Sequence, residues 1–237
     1  MEIIKKTKFN KIRIIIGIIS LIILLTAGLF LWYVSDYYRA EDIALEVLRQ
    51  DDNITVQGDI TVLSADDYTD TAIIFYPGAK VEANAYLPLL DEIRDTGVTC
   101  ILVQMPFNLA IFDYNAAEDI IEEFPEVERW YIAGHSMGGA MASKFASDNP
   151  ERVDGLILMG AYIYGDYPLE KTLTIYGTLD GLVAEDIDYT INTVPIEGGN
   201  HAQLGYYGFQ EGDLQAAIST REQIDQTVEA VESFIYK

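Results

Sequence analysis

Two kinds of apolar run divide the chain. The first is long and unbroken. From Ile14 to Ser35 it reads IIIGIISLIILLTAGLFLWYVS without a charge, enough for a helix to cross a hydrocarbon layer about 30 Å thick. The later runs have strand length and β-branched character, and they alternate with stretches of helical period: TAIIFYP then NAYLPLLDEIRDTG, VTCILVQMP then AAEDIIEEFPE, and WYIAG then a helix over 138–148. DGLILMGAY, TLTIYG, NTVPIEGG and a last helix over 221–236 complete the series, and ITVQGDITVLS precedes it as two short strands. Apolar runs without alternation suit strands covered by helices on both faces. The expected fold is therefore α/β, with a doubly wound, mostly parallel sheet behind one transmembrane helix.

The boundaries follow from the same pattern. Residues 1–13 form a basic tail, 14–35 the membrane anchor, 36–52 an amphipathic stalk or lead-in helix, and 53–237 the α/β domain. A secretory signal would also open on basic residues, but its apolar region usually spans about 7–15 residues. Here apolar and aromatic residues continue past the weak cleavage signal Thr26–Gly28, so the segment reads as an uncleaved anchor.

Charge sharpens this picture. Of 15 basic residues, Lys5, Lys6, Lys8, Lys11 and Arg13 precede the apolar segment, whereas only Glu2 among 38 acids lies before Asp36. Basic residues stay on the cytoplasmic side, which orients the chain as a single-pass protein with its domain outside the cytoplasm. The remaining 10 basic against 37 acidic residues exclude nucleic acid as a partner and disfavour docking of the domain on anionic lipid. The single cysteine, Cys100, lies in a buried-strand pattern and cannot form an intrachain disulfide. With only His135 and His201 as histidines, no metal or organic cofactor is expected.

Candidate chemistry centres on RWYIAGHSMGGAMA. Its GHSMG fits G-x-S-x-G where a strand turns into a helix, placing Ser136 as a nucleophile at the carboxyl end of the sheet. A hydroxyl needs a base. His201, in the loop after the last strand, fills that role, while His135 inside the turn reads as structural, its side chain pointing away from that of the serine. Asp180, directly after TLTIYG, has the chain order expected of the orienting acid, with Glu185, Asp186 and Asp188 as rivals. Met137 supplies one oxyanion-hole amide. PGAKVE supplies the second, from Ala79 or Lys80, with Gly78 permitting the bend. Tyr162, Tyr164, Tyr206, Tyr207 and Phe209 could wall a cleft, although aromatic residues more often pack, and MPFNLAIF reads as strand-end packing.

From about Thr71 onward the chain resembles the α/β-hydrolase superfamily, in particular α/β-hydrolase fold family 5. The stretches that carry the resemblance are FYPGAKVEANAYLPLL, VQMPFNLAIF, GHSMGGAMA, YGTLDG and GGNHAQLGYYGFQEGD. It implies Ser136, Asp180 and His201 as a triad and Gly78–Ala79 as part of the oxyanion loop, but no particular substrate. The short AYIYGDYPLEK leaves little room for a lid. The resulting expectation is a membrane-anchored serine hydrolase that cleaves a small-molecule ester or thioester through an acyl-enzyme. Amidase or transacylase chemistry would use the same residues. The alternative is a catalytically silent binding module of the cell envelope with the same fold.

Overall fold

The computed structural model describes residues 2–50, 53–67 and 69–237, with their side chains described from Arg13 onward except that of Gln50. The basic side chains of the tail before Arg13, and residues 51–52 of the lead-in segment, lie outside that description. Two compact units result, residues 1–36 and 37–237. The first is the helix α1, Glu2–Ser35. Within it Arg13–Ser35, 23 residues of mean hydropathy 2.9, is long and apolar enough to cross a membrane.

The second unit begins with α2 (Asp42–Gln50), which packs Ala44 into the domain instead of projecting as a stalk. An antiparallel pair follows, β1 (Ile54–Gln57) and β2 (Ile60–Leu63), joined by the turn at Gly58. Then come β3 (Thr71–Tyr76), α3 (Leu87–Arg94), β4 (Thr99–Val103), α4 (Ala116–Glu123) and β5 (Arg129–His135). The chain ends with α5 (Met137–Asp148), β6 (Gly155–Met159), β7 (Thr172–Gly177), β8 (Thr193–Ile196) and α6 (Thr220–Ile235). The eight strands form one sheet in the order β1-β2-β4-β3-β5-β6-β7-β8. Strands from β4 to β8 pair in parallel, and β2 joins β4 antiparallel.

Period-two alternation divides the core. In β3, Ile73 and Phe75 face the layer of α2, α3 and α6, while Ala72, Ile74 and Tyr76 face α4 and α5. Each face is sealed by apolar helix residues, Leu87, Leu90 and Ile93 on one side and Met141, Ala142 and Phe145 on the other. Burying a side chain of this size contributes about 1.5–3 kcal/mol, so the central strands form a rigid base for the loops at their carboxyl ends. Cys100 belongs to this core, and burial raises its thiol pKa.

Helix α6 starts from a capping box. Ser219 accepts from the Glu222 amide while Glu222 returns a carboxylate to the Ser219 amide. Its inner face carries Gln223, which exchanges two hydrogen bonds with the backbone of Asn200, at 2.9 and 2.7 Å. The last helix thus holds the loop that carries His201.

Candidate active site

The turn from β5 into α5 depends on close backbone approach. Ser136 has φ 53° and ψ −122°, a conformation costly for a residue with a Cβ; such outliers cost about 1–3 kcal/mol and persist only where the surroundings enforce them. Here the glycines do so. A Cβ on Gly134 would lie 2.4 Å from the Gly138 backbone, and one on Gly138 would lie 2.1 Å from the Tyr76 carbonyl oxygen. The Ser136 amide donates to the Met159 carbonyl at 3.0 Å, which ties the turn to β6. Its hydroxyl opens on a cleft of about 330 Å³ lined by Ile111, Met137, Met141, Ala161, Tyr162 and Tyr164 among others.

The loop after β7 brings Asp180 to the loop after β8. His201 Nδ1 lies 2.8 Å from Asp180 Oδ2, with His201 fully buried and Asp180 5% exposed. Asp180 Oδ1 accepts from the Leu182 and Val183 amides at 2.9 and 3.0 Å, so both carboxylate oxygens are engaged. The rivals Glu185, Asp186 and Asp188 are exposed. His201 Nε2 is buried and has no hydrogen-bond partner among the described residues, the Ser136 hydroxyl included.

In the turn after β3, two of the three amides are already engaged. Gly78 donates to the Tyr86 hydroxyl at 3.1 Å and Lys80 to the Asn108 carbonyl at 2.8 Å. Ala79 is left with no hydrogen-bond acceptor among the described residues, like the Met137 amide at the first position of α5. First-turn amides have no partner within their helix and favour negative charge. The role of Gly78 differs from the expected one. Its φ is not positive; instead a Cβ there would lie 2.8 Å from His135 Nδ1 and 2.9 Å from the Tyr86 hydroxyl, and it is Lys80 that takes the left-handed conformation, φ 57°.

His135 is likewise more than a remote structural residue. Its ring lies against that of His201, with centroids 4.4 Å apart, and its Nδ1 is 2.7 Å from the Tyr86 hydroxyl. Burial, and secondarily any charge on His201, lowers the His135 pKa well below the usual imidazole range.

The sequence of the domain points the same way. A family model for alpha/beta hydrolases matches residues 72–225. The chain belongs to the alpha/beta hydrolase family. It is a hydrolase of that fold. Among solved structures, a serine hydrolase without a lid from Xanthomonas campestris is similar, at TM-score 0.53 and 14% identity, over 75% of this chain and 87% of its own. A carboxylesterase from Mesorhizobium loti has TM-score 0.52 and 14% identity over 78% and 99%. A monoacylglycerol lipase from Paleococcus ferrophilus has TM-score 0.54 and 12% identity over 76% and 99%. No curated protein matches the chain in sequence.

This alpha/beta hydrolase also uses residues that its sequence did not single out. Asp213, 7% exposed, accepts from the amides of Gly181, Leu214 and Ala202, so one carboxylate joins the loop of Asp180 to that of His201. It closes the quoted stretch GGNHAQLGYYGFQEGD, but in a chain of 38 acids nothing local marks it. Of the five aromatic residues considered for the cleft, Tyr162 and Tyr164 line it. Tyr207 is buried in the core near His135, and Phe209 lines a separate depression with Glu41 and Gln203. MPFNLAIF divides: Met105 and Ala110 pack, whereas Ile111 lines the cleft beside Ser136.

Proposed function

We propose that the chain is a serine hydrolase of uncharged carboxylic esters or thioesters, working through an acyl-enzyme. The observation that carries this is the buried His201–Asp180 pair at the carboxyl edge of the sheet, where a serine is also held in a strained strand-to-helix turn. In this reading Ser136 attacks the ester carbonyl while His201 Nε2 takes its proton. Asp180 fixes the proton on Nδ1 and stabilises the resulting imidazolium. The Met137 and Ala79 amides receive the charge that develops on the carbonyl oxygen. His201 then returns its proton to the departing alkoxide or thiolate. Water, deprotonated by the same imidazole, hydrolyses the acyl-enzyme, and Ser136 leaves as the alcohol.

The cleft lining supports an apolar acyl group, because no charged side chain among the described residues contributes to it. The carboxylesterase and lipase names of similar structures agree with ester chemistry. Arg13–Ser35 serves as the anchor, and the basic residues before it leave the domain outside the cytoplasm. Protease added to intact cells should then digest the domain, and full protection until lysis would reverse this orientation.

The deciding experiment uses a fluorophosphonate probe followed by peptide mapping. Labelling should fall on Ser136 and vanish in Ser136→Ala with the fold retained. A wild-type protein that is folded yet unlabelled would favour a silent binding module of the same fold.

A further inference from the structure

Beneath His201 lies a second buried set of polar groups that the steps above leave unused. Tyr86 is fully buried, and its hydroxyl is 3.1 Å from the Gly78 nitrogen and 2.7 Å from His135 Nδ1. A backbone amide can only donate, so the hydroxyl accepts from Gly78. In the arrangement that also gives the buried hydroxyl proton an acceptor, Tyr86 donates to Nδ1, and a neutral His135 then carries its proton on Nε2.

We propose that Tyr86 and His135 are positioning residues that couple the Gly78–Ala79 turn to the ring of His201, so that the oxyanion amide and the general base are aligned by one buried chain. This rests on the reading of Ser136, His201 and Ala79 given above.

Three observations support the coupling. The two imidazole rings are in contact, at 4.4 Å between centroids and 46° between planes. The contact is unobstructed because residue 160 is glycine. A Cβ there would lie 3.0 Å from His201 Nδ1, 3.2 Å from Asp180 Oδ2 and 3.3 Å from His135 Cδ2. At the other end, the missing side chain of Gly78 lets His135 and Tyr86 approach it, and its amide is tied to the Tyr86 hydroxyl one residue before the Ala79 amide.

The electrostatics are consistent. The ionisable groups around the two rings are Asp180, Asp213, Tyr86 and Tyr207, and burial keeps both tyrosines protonated by raising their pKa values. Burial keeps His135 neutral as well, so its ring can support His201 when the latter becomes cationic during turnover, which a second imidazolium at that distance could not.

The test compares Tyr86→Phe, His135→Phe, the double variant and His135→Asn on a soluble ester, with kcat expressed per serine titrated by the fluorophosphonate. Tyr86→Phe keeps the shape and removes one polar link; His135→Phe removes the other while enlarging a buried ring, so circular dichroism must show that it is folded. Each should lower kcat about 10- to 100-fold with KM changed less than about threefold, as expected when reacting groups are misplaced by a fraction of an ångström. The double variant should be no worse than about threefold below the poorer single one, since both cuts break the same chain. His135→Asn offers an acceptor near the position of Nδ1 and should recover about a third or more of the logarithmic loss. Values of kcat per titrated site within twofold of wild type, or losses that multiply in the double variant, would overturn the coupling.

A second measurement does not depend on ester cleavage. Nitrogen-15 spectra of histidine-labelled protein should show His135 protonated at Nε2 alone and unchanged as the pH is lowered through the usual imidazole range, with Tyr86→Phe abolishing the preference. A His135 carrying its proton on Nδ1 would overturn the proposal, whereas correct spectra in a protein that the fluorophosphonate never labels would overturn the hydrolase reading instead.

Discussion

Replacing Asp213 by asparagine tests how far the site depends on one carboxylate. Asp213 Oδ1 accepts from Gly181 and Leu214 at 3.2 and 2.9 Å, and Oδ2 accepts from Ala202 at 2.9 Å. An amide has a single oxygen. Placed toward Gly181 and Leu214, it sets its NH2 group against the Ala202 N–H, leaving a buried donor unpaired and facing another donor. A hydrogen bond to a charged group contributes about 1.5–3 kcal/mol, and an unsatisfied buried amide costs about 1–3 kcal/mol. The two overlap, so a loss of about 2–4 kcal/mol is expected. For a domain of about 200 residues each kcal/mol lowers Tm by about 2–4 °C, giving a drop of roughly 5–15 °C by circular dichroism. The effect on turnover should exceed what instability explains, because Gly181 directly follows Asp180 and Ala202 directly follows His201. At a temperature where the variant remains folded, kcat per titrated serine should fall about 10- to 100-fold. A Tm within 2 °C of wild type together with kcat within twofold would refute the assignment of Asp213 as the tie between the two loops.

Other expectations follow from neighbouring groups. Asp180→Asn should lower kcat on the order of 10⁴-fold, as for the acid of a serine-protease triad, whereas amide variants of the exposed Glu185, Asp186 and Asp188 should cost less than about tenfold; a large loss at one of the three with near-normal Asp180→Asn would move the acid. Because His135 has a lowered pKa in the folded chain, the unfolded chain binds the extra proton first, and stability falls as pH drops below about 6.5, by at most about 1.4 kcal/mol per pH unit. Melting curves between about pH 7.5 and 5.5 should therefore fall more steeply for wild type than for His135→Asn, and parallel curves would contradict a buried neutral imidazole. The uncharged cleft should favour short apolar acyl esters over equally long esters ending in a carboxylate by tenfold or more in kcat/KM, and equal rates would show that the acyl group binds elsewhere.

The order of strands and helices was legible because each element of the sheet carries its own pattern: buried runs such as TAIIFY and TCILV, and the glycines around Ser136 that allow strand, turn and helix to meet. His201 and Asp180 could be placed because each stands in the loop after a recognisable strand. Tyr86, Asp213 and Gln223 were not legible, since their roles come from what other loops bring to them. Tyr86 ends a short 3₁₀ segment, Ala83–Tyr86, within the stretch NAYLPLL that looks like ordinary helix, and only the fold brings His135 and Gly78 to its hydroxyl. What favours Ala79 over Lys80 in the proposed oxyanion site likewise lies in the distant Asn108, whose carbonyl takes the Lys80 amide.

The connection between β6 and β7 runs only from Gly160 to Lys171, and its first residues, Ala161, Tyr162 and Tyr164, are themselves walls of the cleft beside Ser136. Among the described residues, this connection carries no inserted segment that could close over the cleft before a ligand arrives or a product departs. Inactivation by a small organophosphorus compound should then proceed as a single exponential without a lag, and, if turnover passes through the proposed acyl-enzyme, solvent viscosity should leave kcat nearly unchanged, because no cover from this connection has to move in the cycle.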